Sequence, residues 1–99
     1  MGTFGCMRAI WNGTVLAESD DTVVVEGNQY FPPASLTPGV FAASSKTSHC
    51  GWKGRANYYT VRAGGKENPD AAWYYEDPYP GAAQIKNHVA FWHGVSVEE

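Results

Sequence analysis

His49, Cys50 and Lys53 stand close together in the stretch His49–Tyr59, HCGWKGRANYY. A cation near a thiol lowers the thiol's pKa, and a thiolate is a competent nucleophile. Adjacent residues of a strand point to opposite faces, however, so His49 is badly placed to serve Cys50. A structural, unreactive Cys50 is the better reading, and no catalytic residue is assigned. His49, His88 and His93 form the other chemistry-bearing set. His88 and His93 would lie on opposite faces of one strand, there is no C-x-x-C pair, and no metal ligand is assigned. The carboxylates Asp20-Asp21 and Glu76-Asp77 fall at turn positions, where Asp serves local hydrogen bonds. Nucleotidyl transfer needs acidic residues holding magnesium and donors for a triphosphate. Neither a Gly-rich phosphate cradle nor a Gly-Ser with spaced aspartates occurs.

The aromatic residues offer more. In an extended strand from 52, Trp52, Gly54, Ala56 and Tyr58 share a face, with Lys53, Asn57 and Tyr59 opposite. In AAWYY, Ala71, Trp73 and Tyr75 share a face. In HVAFWH, His88, Ala90 and Trp92 alternate with Val89, Phe91 and His93. Each strand thus carries large rings beside Ala or Gly, an arrangement that leaves a slot for a flat ligand. The alternative is a core in which large and small side chains interdigitate. The ligand-binding candidates are Trp52, Lys53, Tyr58, Trp73, Tyr75, His88 and Trp92, with Lys53 as the polar contact at the rim. A lysine stem can lie along an aromatic surface while its ammonium reaches a ligand acceptor. For Lys53 the alternative is a solvated strand lysine.

These segments need strands to position them, and the turn signals supply the breaks. Asn12-Gly13 between MRAIW and TVLAES suits a type I′ hairpin turn. Its register pairs Trp11 with Thr14, Ile10 with Val15 and Ala9 with Leu16, and both faces carry apolar groups. Ser19-Asp20-Asp21 leads into TVVVE, and Gly27-Asn28 makes a second hairpin into QYF, which Pro32-Pro33 ends. Residues 34–47 read as loop, either a lid or rim or a plain connector, with room for short helical turns around Ala34–Leu36. Trp52–Ala63 reads as a long strand interrupted at Gly54. Gly64-Gly65 reverses the chain, and Asn68-Pro69-Asp70 re-enters the strand AAWYYE. AAQIKN has the propensity of a two-turn helix with Pro80 near its start and Asn87 as its stop, turning Ala82 and Ile85 to the sheet. HVAFW and VSV close the chain.

The chain's 99 residues make one domain, 7–99, after a loose tail at 1–6. Four Trp, six Tyr and four Phe are more aromatics than one small core requires. Seven basic against ten acidic residues leave a charge of −3 and no basic footprint, so no nucleic acid is expected. No apolar run approaches the about 20 residues of a membrane span, and no membrane partner is expected. The N-terminus lacks the layout of a signal peptide, and Cys6 and Cys50 suit two free thiols in a reducing cytosol. A cytoplasmic location follows as the expectation.

The segments RAIWNGTVLAES, VEGNQYFPP, HCGWKG with NYY, AAWYY and AAQIKNHVAFW together resemble the domain of unknown function 427 family, over about residues 7–97. The resemblance implies a small, often bacterial, cytoplasmic protein of β-tent-like fold, in which two antiparallel sheets meet at an angle. Some members are labelled nucleotidyltransferases without an established reaction. Two departures stand out: Gly51 and Glu76 occupy slots where many members have proline. Paired zinc-binding cysteines of the wider β-tent group have no counterpart here.

The expectation is therefore an all-β domain of two antiparallel sheets, about seven or eight strands and one short helix near 81–87. Its function is that of a binding module, monomer or weak homodimer, with an aromatic cleft for a small flat or apolar ligand or a peptide side chain, and no cofactor. The competing reading is an enzyme, either a nucleotidyltransferase or a Cys50-dependent redox catalyst.

Overall fold

The computed structural model describes residues 6–99, so the expected tail at 1–6 lies, apart from Cys6, outside the described residues. The chain is all-β and antiparallel, with nine strands rather than seven or eight. They are β1 (Met7–Trp11), β2 (Thr14–Ser19), β3 (Val23–Val25), β4 (Asn28–Tyr30), β5 (Phe41–Cys50), β6 (Gly54–Ala63), β7 (Lys66–Tyr74), β8 (Val89–Phe91) and β9 (Ser96–Glu98). The sheets number three instead of two: β2-β1-β9, β3-β4, and β5-β6-β7-β8. The β3–β4 hairpin joins the largest sheet through one bridge, where Phe31 and Val89 exchange backbone bonds of 2.8 and 2.9 Å.

Local chemistry sets the hairpins. Asn12-Gly13 has φ of 51° and 74°, and Gly64-Gly65 has 62° and 77°, as the type I′ turn requires. The first register holds at Trp11↔Thr14 and Ile10↔Val15, then slips at a bulge, so Ala9 faces Ala17 and not Leu16. The extra residue lets Leu16 and Ala17 both point inward, and both are fully buried. Val15 stays exposed, so apolar cover falls mainly on one face of this hairpin.

The second hairpin turns one residue earlier than Gly27-Asn28. Val25 pairs with Asn28, and the turn is Glu26-Gly27 with φ of 54° and 80°. Asn28 thereby joins the ladder, and Glu26 takes a left-handed turn position.

The expected loop at 34–47 is corrected most. A 3-10 turn occupies Pro33–Ser35, but Phe41–Cys50 is a ten-residue edge strand paired with β6. Its Ser, Thr and Ala residues carry no apolar alternation because the edge is largely exposed, so pairing comes from the backbone of β6. The helix near 81–87 is a 3-10 segment, Pro80–Ile85, and it does bury Ala82 and Ile85.

Two cores flank the four-stranded sheet. On one side Ala9, Leu16 and Ala17 of the β1–β2 hairpin meet Phe31, Val61, Ala72, Val89 and Phe91. On the other, Val25 and Tyr30 of the β3–β4 hairpin and Ala82 and Ile85 cover Ala56, Tyr58, Tyr75 and Ala90. Ala71 belongs to the first core, not with Trp73 and Tyr75 as strict alternation implies. Asp70, at φ 56°, breaks the alternation where β7 slips against β6.

Candidate functional site

The face of β6, β7 and β8 that bears the second core is where most of the predicted site residues meet. The ladder places Tyr58 opposite Trp73 and Trp73 opposite Ala90, a row across three strands. Ala90 is fully buried in this core, and Trp92 packs at its flank. Its ring lies edge-on to Trp73 at 5.5 Å between centroids and tilted to Tyr58 at 6.2 Å. Trp73 continues the line to Tyr30, edge-on at 6.3 Å, with its Nε1 donating to the Tyr30 hydroxyl at 3.1 Å.

Trp92 is held but not covered. It donates from Nε1 to the Asp70 carbonyl and stacks flat on His93 at 4.2 Å, while the residue stays 41% exposed. Asp70 is itself anchored: Ser44 donates to its carboxylate, and Ser44 begins the three residues by which β5 bulges opposite Tyr58. That bulge carries Lys46, whose Nζ lies 5.3 Å from the centroid of Tyr58. The Tyr58 hydroxyl shares a 2.9 Å hydrogen bond with Ser48. Lys46, Ser48 and Asp70 were not singled out in the sequence. Only the alternation break at Asn68-Pro69-Asp70 hinted at any of them.

At the other end stand Trp52 and Lys53. The reading of Lys53 as a rim or solvated strand residue is corrected, because it lies in the turn between β5 and β6 and is only 6% exposed. Its Nζ lies 5.5 Å from the Trp52 ring and 5.6 Å from the Tyr75 ring, both within cation–π range. It forms an ion pair with Glu26, whose other carboxylate oxygen accepts from Trp52 Nε1 at 3.1 Å. Burial pulls the Lys53 pKa down, but the bond to Glu26 and the acidic groups of Tyr30, Tyr75 and Cys50 outweigh it, and the net shift is upward. The bonds from Lys53 and Trp52 lower the Glu26 pKa. Burial raises Tyr30 and Tyr75. The ammonium is therefore protonated at neutral pH, a binding cation rather than a nucleophilic amine.

Gly54 holds this turn in place. It has φ of +113°, and the backbone of Asp77–Tyr79 crosses so near that an added Cβ would lie 3.5 Å from the Asp77 carbonyl oxygen. Tyr79 also donates its backbone N–H to the Lys53 carbonyl at 3.0 Å.

The remaining candidates lie apart. His88 bonds the Lys86 carbonyl at 2.9 Å, and His49 bonds the Tyr79 hydroxyl at 3.1 Å. Cys50 is half-buried against the second core, and Cys6 and Cys50 are unpaired. Among the described residues no three His, Cys, Asp or Glu side chains gather where a metal ion could be held, and no helix is long and apolar enough to cross a membrane.

Tyr30, Trp73, Trp92 and Tyr58 form a run of ring contacts with Lys46 over Tyr58, while Trp52 and Tyr75 flank Lys53. The indoles of Trp52 and Trp92 are 44% and 41% exposed, whereas Tyr30, Tyr58 and Tyr75 are buried. The tyrosines therefore build core, as the interdigitated reading has it, while the indoles of Trp52 and Trp92 face solvent. No curated protein matches the chain. A family match does cover residues 3–99, under the label NTP_transf_9, and the chain belongs to the family Domain of unknown function (DUF427).

Proposed function

We propose that the protein is a cytoplasmic binding module that receives a flat or apolar small molecule, or a peptide side chain, on the exposed indole of Trp92. The observation that carries this is a ring immobilised by Asp70, Trp73 and His93 that nonetheless keeps 41% of its surface exposed. Fixing an aromatic surface before the ligand arrives reduces the ordering cost of binding. Lys46 beside Tyr58 adds a cation for an electron-rich or anionic edge of the ligand. Two unpaired thiols suit a reducing compartment.

The enzymatic readings draw less from the geometry. Cys50 packs into the second core while His49 bonds Tyr79, so the two do not form a nucleophile–base pair. For the nucleotidyltransferase reading, no cluster of three or more His, Cys, Asp or Glu side chains among the described residues supports a magnesium site.

The test is titration with quinoline, a flat heteroaromatic, followed by the indole N–H resonances. Trp92 should shift, and Trp92→Ala should lose at least tenfold in affinity, while Cys50→Ser binds as the parent does. Unchanged binding by Trp92→Ala would overturn the proposal. So would magnesium-dependent turnover of a nucleotide.

A further inference from the structure

Lys53 is the one charged residue that is buried among the described residues, and its counter-ion is not buried with it. The Lys53 side chain is 8% exposed, whereas that of Glu26 is 51% exposed. Glu26 reaches the ammonium from a hairpin turn, at φ 54°, a conformation that such turns usually fill with Asn, Asp or Gly. A glutamate there conflicts with local preference, and conflicts of this kind cluster at ligand sites. The two donors divide its carboxylate between them: Lys53 Nζ takes Oε1 and Trp52 Nε1 takes Oε2. Besides Glu26, Nζ has the Trp52 and Tyr75 rings within cation–π range.

We infer that Lys53 and Trp52 form a carboxylate-binding subsite that Glu26 occupies in the free protein and that the carboxylate of an incoming ligand takes over. Trp52 and Lys53 belong to the turn before β6 and Tyr75 directly follows β7, so none of them is on the hairpin that carries Glu26 and the subsite persists when the Glu26 side chain swings out. Half of the Glu26 side chain already faces solvent. Tyr75 shares the second core with Trp73, against which Trp92 packs, and the inference rests on the aromatic-binding reading: a ligand's acidic end would be anchored here. The class is a carboxylate because two donors address two coplanar oxygens, which a tetrahedral phosphate matches less well.

The probe is acetate, titrated against chloride at constant ionic strength and neutral pH, read by the Trp52 indole N–H resonance and by Tm. In Glu26→Gly, which suits the positive φ and empties the subsite, acetate should shift Trp52 N–H and raise Tm. The parent should need at least about tenfold more acetate, because its tethered carboxylate competes at high effective concentration. Adding Lys53→Met to Glu26→Gly should abolish the response. No Trp52 shift in Glu26→Gly, a response that survives Lys53→Met, or equal affinity in the parent would each overturn the inference. An equal response to phosphate would overturn the carboxylate class. If Glu26→Gly does not fold, Glu26→Gln serves, with acetate expected to bind more tightly than to the parent and equal binding counting against it. Acetate has no ring, so its failure with quinoline binding intact sinks this inference alone. Failure of quinoline at Trp92 with acetate rescue intact sinks the aromatic reading alone.

Discussion

The Nε1 of Trp73 donates to the Tyr30 hydroxyl at 3.1 Å, a bond between residues 43 positions apart that fastens the β3–β4 hairpin to the face of the sheet it covers. Trp73 is half-buried and Tyr30 fully buried, so both polar atoms would lose hydration without finding each other.

Breaking that bond should therefore be measurable from either side. Tyr30→Phe and Trp73→Phe should each cost about 1 kcal/mol in urea unfolding, and the double variant should cost less than their sum. Strict additivity would show that the pair is not coupled.

The indoles of Trp52, Trp73 and Trp92 should separate by stability. Trp73→Ala removes a ring packed into the second core and should cost about 3 kcal/mol, whereas Trp52→Ala and Trp92→Ala should cost about 1 kcal/mol. The reverse ranking would mean that Trp52 and Trp92, not Trp73, carry the core.

Quenching should report the same division. The chain has four Trp, of which Trp52 and Trp92 are exposed, while Trp11 and Trp73 are half-buried. Acrylamide should quench the parent in two phases, and the double variant Trp52→Phe with Trp92→Phe should lose the accessible phase. Retention of that phase would place the accessible rings elsewhere.

Gly54→Ala should destabilise by about 1–3 kcal/mol, because φ of +113° is a conformation that alanine avoids. Since the turn it closes carries Trp52 and Lys53, the Trp52 N–H resonance should move as well. A variant as stable as the parent, with Trp52 unmoved, would show that this backbone conformation is not required.

The Glu26–Lys53 pair implies a defined acid response. The hydrogen bonds from Lys53 and then Trp52 lower the Glu26 pKa in the folded protein, so its contribution is complete above the ordinary value of about 4.3 and fades as pH falls through the lowered one. Lys53, lowered by burial but raised on balance by its bond to Glu26 and by Tyr30, Tyr75 and Cys50, contributes fully below about 10.4 and loses that only as pH rises through its higher folded value. In urea unfolding the gap between the parent and Glu26→Gln should be constant near neutrality and close as pH falls below the ordinary carboxylate range. A gap unchanged at the acid end would exclude ionised Glu26 as its source.

Much of this was legible without coordinates, for a local reason. Asn12-Gly13 and Gly64-Gly65 adopt positive φ because their own residue types permit it, and the alternation of Tyr58, Trp73, Tyr75 and Ala90 follows from the two-residue period of a strand. The all-β antiparallel architecture, the short helical segment and the shared face of the aromatics needed no more than that. The chain's membership of its family was likewise carried by segments readable in order.

What only the tertiary structure decided depends on partners distant in sequence. Strand β5 could not be read because Ser, Thr and Ala at an exposed edge carry no apolar period, and its order is imposed by hydrogen bonds from β6. The bulges that turn Leu16 inward and move Ala71 to the first core depend on how one strand slips against another, which residue types alone do not specify. Lys53 looked like a surface lysine because its counter-ion stands 27 residues away, on a turn whose position was itself one residue from the expected one. A buried charge is tolerated only where folding delivers an opposite charge to it, so Lys53's role was decided by the packing of the β3–β4 hairpin on the sheet.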